Sequence, residues 1–219
     1  LPYDLFAENH IYEVPLNINW GDDESYKDRV EMDTTAFYRR LATTTIMPTT
    51  SQPSIGDFTT QFQKLAPDYD EIVAILISGD LSGTVDSATA AAAQCREIPV
   101  HVIDSRFTSL AQGFMVLEVA RLAREGRPVP ELLQAAEAMK PRLIAHFFVD
   151  TLEFLRRGGR IGGAAALIGT ALKIHPLLQI ADGRIEVLEK VHTRKRAIQR
   201  LLQSVVNRVD PSKPVQMGV

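Results

Sequence analysis

Two apolar runs, each followed by a polar loop and a helix, constrain the fold of this chain most. The first run, EIVAILI at 71–77, precedes the loop SGDLSGT and an alanine-rich helix. The second, PVHVI at 99–103, precedes the loop DSRFTS and a helix that extends to about residue 125. Continuous apolar runs are typical of parallel strands covered on both faces. The order strand, helix, strand therefore predicts a parallel α/β layer in this half of the chain.

The pattern changes after about residue 141. RLIAHFFVD is typical of a strand, and TLEFLRR predicts a short helix that ends at Gly158. HPLLQIADGRIEVLEKV carries an Asp-Gly pair between two apolar segments, which predicts a β-hairpin. The predicted fold class is thus α/β, with an N-terminal parallel-sheet α/β domain over residues 1–147 and a smaller α+β domain over 148–219. Both ends of the chain interrupt predicted elements, so we interpret it as a fragment.

The segment before the first apolar run contains shorter signals. LPYDLFAEN predicts a helix and IYEVPLNINW a half-buried strand, which GDDES follows as a turn. Asp33 is a suitable N-cap for the helix TTAFYRRLAT. Apolar residues at helical spacing after residue 54 predict a further helix, with Pro53 in its first turn.

Composition excludes several classes of function. The net charge is −3, so the chain offers no electrostatic case for binding nucleic acid or an anionic membrane. No apolar run approaches the roughly 18 residues of a membrane-spanning helix. Cys95 is the only cysteine, which excludes an internal disulfide and favours a reducing cytoplasm. The five histidines show no metal-ligand spacing, so we expect neither a metal nor a cofactor.

Two hydroxyl-rich segments form the candidate site. Ser82 and Gly83 lie in SGDLSGT, after a predicted parallel strand and at the start of a helix, where backbone N–H groups favour an anion. Thr50 and Ser51 lie in MPTTSQPS, before the next predicted helix upstream. Either segment alone is interpreted as a helix cap. Together they indicate a pocket for a small anion such as a carboxylate.

The glycine-rich stretch GGRIGG carries Arg160 at its centre. It matches neither of the glycine-rich patterns of nucleotide-binding loops. The stretch can be a helix end followed by a helix start. Alternatively, Arg160 can donate to a carboxylate through its forked guanidinium group.

In these motifs the chain resembles the DegV family of bacterial fatty-acid-binding proteins. The matching segments are PLNINWGDDESYKD, PTTSQPS, SGDLSGTVDSA and the long run from TLEFLRRGGRIGG to VHTRKRAI, in the family's order. The resemblance implies an α/β domain and an α+β domain with a long-chain fatty acid, such as palmitate, between them. It also implies a carrier rather than an enzyme, and some members of the family present their ligand to a fatty-acid kinase.

The resemblance also implies roles for particular residues. Thr50 and Ser82 fall on the two hydroxyls that hold the fatty-acid carboxylate in the family, and Arg160 falls near the head group. His175 and His192 stand where the family usually has lysine and arginine. An aliphatic tunnel would hold the acyl tail, and its candidate lining residues are Phe107, Phe114, Met115, Leu167, Ile168 and Leu172.

Three other functions remain open at this point. A serine hydrolase would use Ser82 as nucleophile, although Asp80 stands where the nucleophile elbow has glycine. A nucleotide-dependent phosphotransferase would use the glycine-rich loops but lacks a metal motif. A structural interaction module would use the hydroxyls only as caps.

Overall fold

The computed structural model describes residues 1–168 and 174–218, and three sheets lie in this part of the chain. One is parallel and two are antiparallel. The strands are β1 (Asn17–Trp20), β2 (Glu24–Lys27), β3 (Thr49–Ser51), β4 (Ile72–Leu76), β5 (Val100–Asp104), β6 (His146–Phe148), β7 (His175–Ala181) and β8 (Arg184–Val191).

Several helices begin where the sequence supplies a capping side chain. Asp33 accepts from the backbone N–H of Ala36 at 2.9 Å, as predicted, and Thr193 accepts from that of Arg196 at 3.2 Å. The helices are α1 (Tyr3–Glu8), α2 (Thr34–Leu41), α3 (Ile55–Leu65), α4 (Thr84–Gln94), α5 (Ser109–Arg124), α6 (Val129–Met139), α7 (Glu153–Arg157) and α8 (Arg194–Val206), with 3₁₀ turns over Lys140–Arg142 and Gly162–Leu167.

The parallel pair β4–β5 confirms the central prediction. Helices cover both faces of the pair: α3 and α4 pack on one side and α5 and α6 on the other. Every residue of β4 is nevertheless only half-buried. Only two strands pair in the described part of this sheet, so its edges are not covered by neighbouring strands.

A three-stranded antiparallel sheet with the order β2-β1-β3 was not fully predicted. The strand β1 was expected, whereas β2 and β3 have the polar sequences ESYK and TTS, which show no apolar alternation. Their strand structure comes from pairing with β1, where Ile18 stands opposite Tyr26 on one side and Thr50 on the other. Ile18 and Trp20 form the buried face of this sheet.

The second part of the chain is built on the sheet β6-β7-β8. The predicted hairpin is confirmed, and its turn has φ of 48° at Asp182 and 81° at Gly183, as a type I′ turn requires. The helix start in GGRIGG is a 3₁₀ turn over Gly162–Leu167, and the rest of the helix predicted there lies outside the described residues. The chain therefore has the predicted fold class, a parallel-sheet α/β part followed by a smaller α+β part. The boundary at residue 147 stays a prediction, and β6 spans it.

The two parts of the chain share a hydrophobic core. Phe107 and Ala111 of the first part pack in one cluster with Leu178, Ile180 and Ile185 of the second. Among the other candidate tunnel residues, Met115 and Leu167 are buried, Phe114 is half-buried and Ile168 is 48% exposed, while Leu172 lies outside the described residues. No helix in the described part combines the length and apolar character that a membrane crossing requires.

Candidate ligand-binding site

The loop of residues 78–83, here called the Ser82 loop, connects β4 to α4 at the carboxyl end of the parallel sheet. Ser82 does not cap the helix: the N-cap is Gly83, and no side chain caps this end. The Ser82 hydroxyl instead lies 2.8 Å from the hydroxyl of Thr84. Because that contact uses one of the two hydroxyl protons, the other can be donated to a ligand.

The residues 47–54, here called the Thr50 segment, contribute the short edge strand β3. Thr50 is exposed and stands opposite Ile18. The Ser51 hydroxyl, on the other face of the strand, receives the side-chain amides of Asn17 at 3.4 Å and Asn19 at 3.3 Å. Of the two hydroxyls, that of Ser51 is therefore engaged within the protein.

The cap of α3 is Ser54, one residue beyond Pro53. Its hydroxyl accepts from the backbone N–H of Asp57 at 3.0 Å, and the Asp57 carboxylate accepts from the Ser54 N–H at 2.8 Å. The prediction that Pro53 lies in the first turn is wrong, because this capping box starts the helix after the proline. The interpretation of Thr50, Ser51 and Ser82 as helix caps therefore does not hold.

Gln52 brings the two segments together. Its side-chain amide lies against Gly83: a Cβ added there would lie 2.5 Å from the Gln52 nitrogen. The same nitrogen donates to the Ser87 hydroxyl at 3.4 Å. Only a residue without a side chain permits this approach. Gln52 and Thr84 were not predicted as site residues, although both lie inside the quoted motifs.

Arg160 also reaches the Ser82 loop. Its Nε donates to the carbonyl of Leu81 at 3.0 Å, and Nη1 donates to the carbonyl of Gly158 at 2.6 Å. The guanidinium is thus anchored one residue before Ser82. This placement is consistent with either interpretation of GGRIGG, because the same side chain shapes the loop and brings a positive charge to it.

Asp104, the last residue of β5, contacts the Ser82 loop. Asp104 accepts from the backbone N–H groups of Gly79 at 3.2 Å and Arg106 at 2.8 Å. The Ser105 hydroxyl is buried and bonds the backbone of Phe107. Asp104 and Ser105 therefore fix backbone turns.

The histidines are engaged elsewhere or lie apart from the loop. His101 contacts Glu71 at 2.7 Å, and His146 contacts Ser204 at 2.9 Å. His175 Nδ1 lies 3.6 Å from a carboxylate oxygen of Asp150, and His192 is exposed after β8. In residues 1–168 and 174–218, no cluster of three or more His, Cys, Asp or Glu side chains could hold a metal ion.

These features define a class of protein. It is a two-part α/β protein in which hydroxyl-bearing segments from two sheets meet at the carboxyl end of parallel strands, the usual position of a ligand in such folds.

The chain belongs to the DegV family. The family's model, described as that of an uncharacterised protein, matches residues 1–219. Protein DegV of Bacillus subtilis is 35% identical over 220 residues, which cover 100% of this chain and 78% of the relative. A DegV domain-containing protein of Streptomyces coelicolor is 39% identical and is covered to 77%.

Solved structures of relatives have the same fold. DegV of Bacillus subtilis, described as a fatty acid binding protein, matches with a TM-score of 0.87 and 35% identity over 94% of this chain and 73% of that one. A structure described as fatty acid binding of a DegV family protein from Thermus thermophilus matches with a TM-score of 0.85 and 36% identity, with the same two coverages.

Proposed function

We propose that this protein binds a long-chain fatty acid such as palmitate between its two parts and acts as a carrier. The observation that carries the proposal is that the Ser82 hydroxyl does not cap α4 and pairs with the Thr84 hydroxyl, which leaves one hydroxyl proton of the pair for a ligand. Similarity to DegV proteins described as fatty-acid-binding supports the class of ligand.

In this proposal Thr50 and Ser82 donate to the carboxylate. Gln52 contacts Gly83 and so keeps the Thr50 segment beside the Ser82 loop. Along an extended strand, residues 50 and 52 share a face, while Ser51 points the other way. This alternation favours Thr50 over Ser51 as the second donor. Gly83 allows the close approach, and Arg160 adds a positive charge near the head group.

The acyl tail would supply most of the affinity. A hydrogen bond to a charged group contributes about 1.5–3 kcal/mol, whereas each buried methylene contributes about 0.8 kcal/mol. A tail of about fifteen methylenes can therefore contribute on the order of 12 kcal/mol before ordering costs. The hydroxyls then decide which end of the ligand lies at the Ser82 loop.

The proposal describes a carrier and not an enzyme. A hydrolase would need a general base in contact with the Ser82 hydroxyl. In the described structure this hydroxyl contacts that of Thr84, which is not a base. A carrier must deliver its ligand to another protein, and the family resemblance suggests a fatty-acid kinase. Labelling of Ser82 by a fluorophosphonate probe would instead indicate a hydrolase.

The first prediction concerns the two hydroxyls. Ser82→Ala and Thr50→Ala should each weaken palmitate binding to the delipidated protein by about ten- to a hundredfold, the cost of one bond to a charged group. Ser51→Ala serves as the matched control and should bind like the parent, because the Ser51 hydroxyl lies on the opposite face of β3 from Thr50, where it accepts from two asparagine amides. Isothermal titration, with thermal unfolding to check the fold, measures this. Parent-like affinity in both test variants contradicts the head-group assignment.

A further inference from the structure

The turn of the β7–β8 hairpin reaches across the molecule to the Ser82 loop. Ser78 donates its hydroxyl to the carbonyl of Gly183 at 2.8 Å, although the two residues are 105 positions apart in the chain. Both residues are buried. This contact is a direct polar connection between the two parts of the protein.

The turn fits against the loop because position 183 is glycine. Gly183 has φ of 81°, and a Cβ there would lie 2.6 Å from the Ser78 hydroxyl and 3.0 Å from the Asp80 carboxylate. A side chain would both strain the turn and push it away from the loop. The same residue thus satisfies the hairpin and the contact between the two parts.

A charged cluster surrounds this contact. Asp80 accepts from Arg184 at 2.8 Å on one carboxylate oxygen and from Arg106 at 2.9 Å on the other. Arg106 also donates to the carbonyl of Asp182 in the turn. One carboxylate of the Ser82 loop therefore binds one arginine from each part of the chain.

The cluster is accessible to ions in solution. An open crevice of about 530 Å³ lies against it, and its lining residues are Asp80, Arg106, Ala181, Asp182, Arg184 and Glu186. The Arg184 side chain is 66% exposed. Added salt screens charge pairs of this kind.

The cluster is connected to Ser82 by the backbone of the loop. The N–H groups of Leu81 and Ser82 both point to the Ser78 carbonyl, at 3.0 and 3.1 Å. Arg160 holds the Leu81 carbonyl from the second part of the chain. Fixing Ser78 and Asp80 therefore fixes the backbone that carries the Ser82 hydroxyl.

We propose that the β7–β8 turn is an ionic latch that positions Ser82, with Asp80 and Arg184 as its positioning residues. When Asp80 and Arg184 are paired, the Ser82 hydroxyl is held in place before the ligand arrives. Binding then loses less conformational entropy. The effect on fatty-acid affinity rests on the proposed function above, whereas the effect on loop mobility does not.

The test uses a matched pair of variants. Arg184→Gln removes the pair between the two parts, and Arg200→Gln removes a pair of similar length, 2.8 Å to Glu189, that lies within the second part. Amide hydrogen exchange of the ligand-free protein should be faster at Leu81 and Ser82 in Arg184→Gln and unchanged in Arg200→Gln. The amide of Ile103, a buried residue of β5 paired with β4, should stay parent-like in both variants and reports whether the sheet remains folded.

Affinity supplies the second measurement. Palmitate should bind Arg184→Gln about three- to fivefold more weakly than the parent, as expected for a partly exposed pair. Raising the salt concentration should weaken palmitate binding more in the parent than in Arg184→Gln, where only the attraction between Arg160 and the carboxylate remains to be screened. Arg184→Lys should restore part of both effects. Asp80→Asn, which also removes the pair with Arg106, should weaken binding at least as much as Arg184→Gln, and the double variant should be no weaker than Asp80→Asn.

The two proposals fail separately. Parent-like exchange at residues 81 and 82 in both Arg184→Gln and Asp80→Asn would overturn the latch, whatever palmitate does. Equal salt dependence of palmitate binding in the parent and in Arg184→Gln would overturn its role in affinity. A parent protein that does not bind palmitate would overturn the proposed function, and the exchange data would still decide whether the latch holds the loop.

Discussion

At the scale of single residues, the hydrogen-bond partner of a serine hydroxyl distinguishes a candidate ligand-binding residue from a helix cap. Ser54 and Ser82 both lie just before a helix, yet Ser54 bonds a backbone N–H of its helix whereas Ser82 bonds another hydroxyl. Gly83 and Gln52 show the same point, since their contact has no role within either helix. Substitution of one or two residues is therefore enough to remove either contact.

Gly83→Ala provides a test at this scale. Its backbone φ of −71° suits alanine, so the new Cβ acts mainly through its clash with the Gln52 amide. We expect lower thermal stability and weaker palmitate binding, with recovery in the Gly83→Ala/Gln52→Ala double variant and a coupling of roughly 0.5–3 kcal/mol. Gly56→Ala is the control, because its Cβ would meet Ser54 at an ordinary 3.6 Å. Simple additivity of the two substitutions would contradict the contact.

At the scale of elements, the packing of α8 on the sheet β6-β7-β8 involves a partly buried histidine. His146 of β6 contacts the Ser204 hydroxyl of α8, and that hydroxyl donates to the Leu201 carbonyl at 2.7 Å. The Ser204 oxygen is therefore an acceptor for His146, whose Nδ1 carries the hydrogen. Burial, followed by the charge of Arg208, lowers the pKa of His146 below its usual 6.5.

The pH dependence of stability follows from this lowered pKa. The unfolded chain binds the His146 proton at a higher pH than the folded chain does, so stability is present above pH 6.5 and falls as the pH drops toward the folded value. His146→Gln should lose less thermal stability between pH 7 and pH 5 than the parent. His192→Gln, at an exposed position, should follow the parent.

The Glu24 carboxylate does not contribute to the change between pH 7 and pH 5, and the pKa of Asp28, which burial raises, is the same influence in the parent and in His146→Gln. The Arg40 guanidinium and the Tyr26 hydroxyl lower the pKa of Glu24 from 4.5 to about 2, so its contribution is lost only below pH 4.5. An identical loss of stability in the parent and in His146→Gln between pH 7 and pH 5 would contradict the assignment.

At the scale of the whole molecule, one apolar cluster joins the two parts of the chain. Phe107 is 7% exposed and packs in that cluster against the sheet β6-β7-β8. The Ser82 loop and the hairpin turn meet at its edge through Ser78 and Gly183. The two parts should therefore unfold together, since neither completes this core alone.

Phe107→Ala tests this cooperation. The parent should unfold in one step, with the fluorescence of Trp20 and the far-ultraviolet circular dichroism changing together in denaturant. Phe107→Ala should cost about 3–5 kcal/mol and separate the two transitions. Phe58→Ala, which removes another buried ring, from the core between α3 and α4, should cost a similar amount while the transitions stay together. Separate transitions in the parent would contradict the shared core.

Long and strongly patterned segments could be predicted from the sequence. The apolar runs of β4 and β5 and the Asp182–Gly183 turn were identified because local chemistry decides them. Polar strands such as β3 could not be found this way, because their hydrogen-bonding partner lies some thirty residues away in β1. For the candidate site, the motifs named Ser82, Thr50 and Arg160, while the partners of those residues stayed hidden.

The sequence by itself determined the order of elements, the fold class and the residue types at the candidate site, because helix caps, turns and apolar patterns are local properties of the chain. Only the tertiary structure decided which hydroxyls do not cap a helix, that Gln52 lies against Gly83, and that a turn 105 residues away accepts a hydrogen bond from Ser78. The physical reason is that such contacts depend on how separate elements pack, and packing is a property of the whole folded chain.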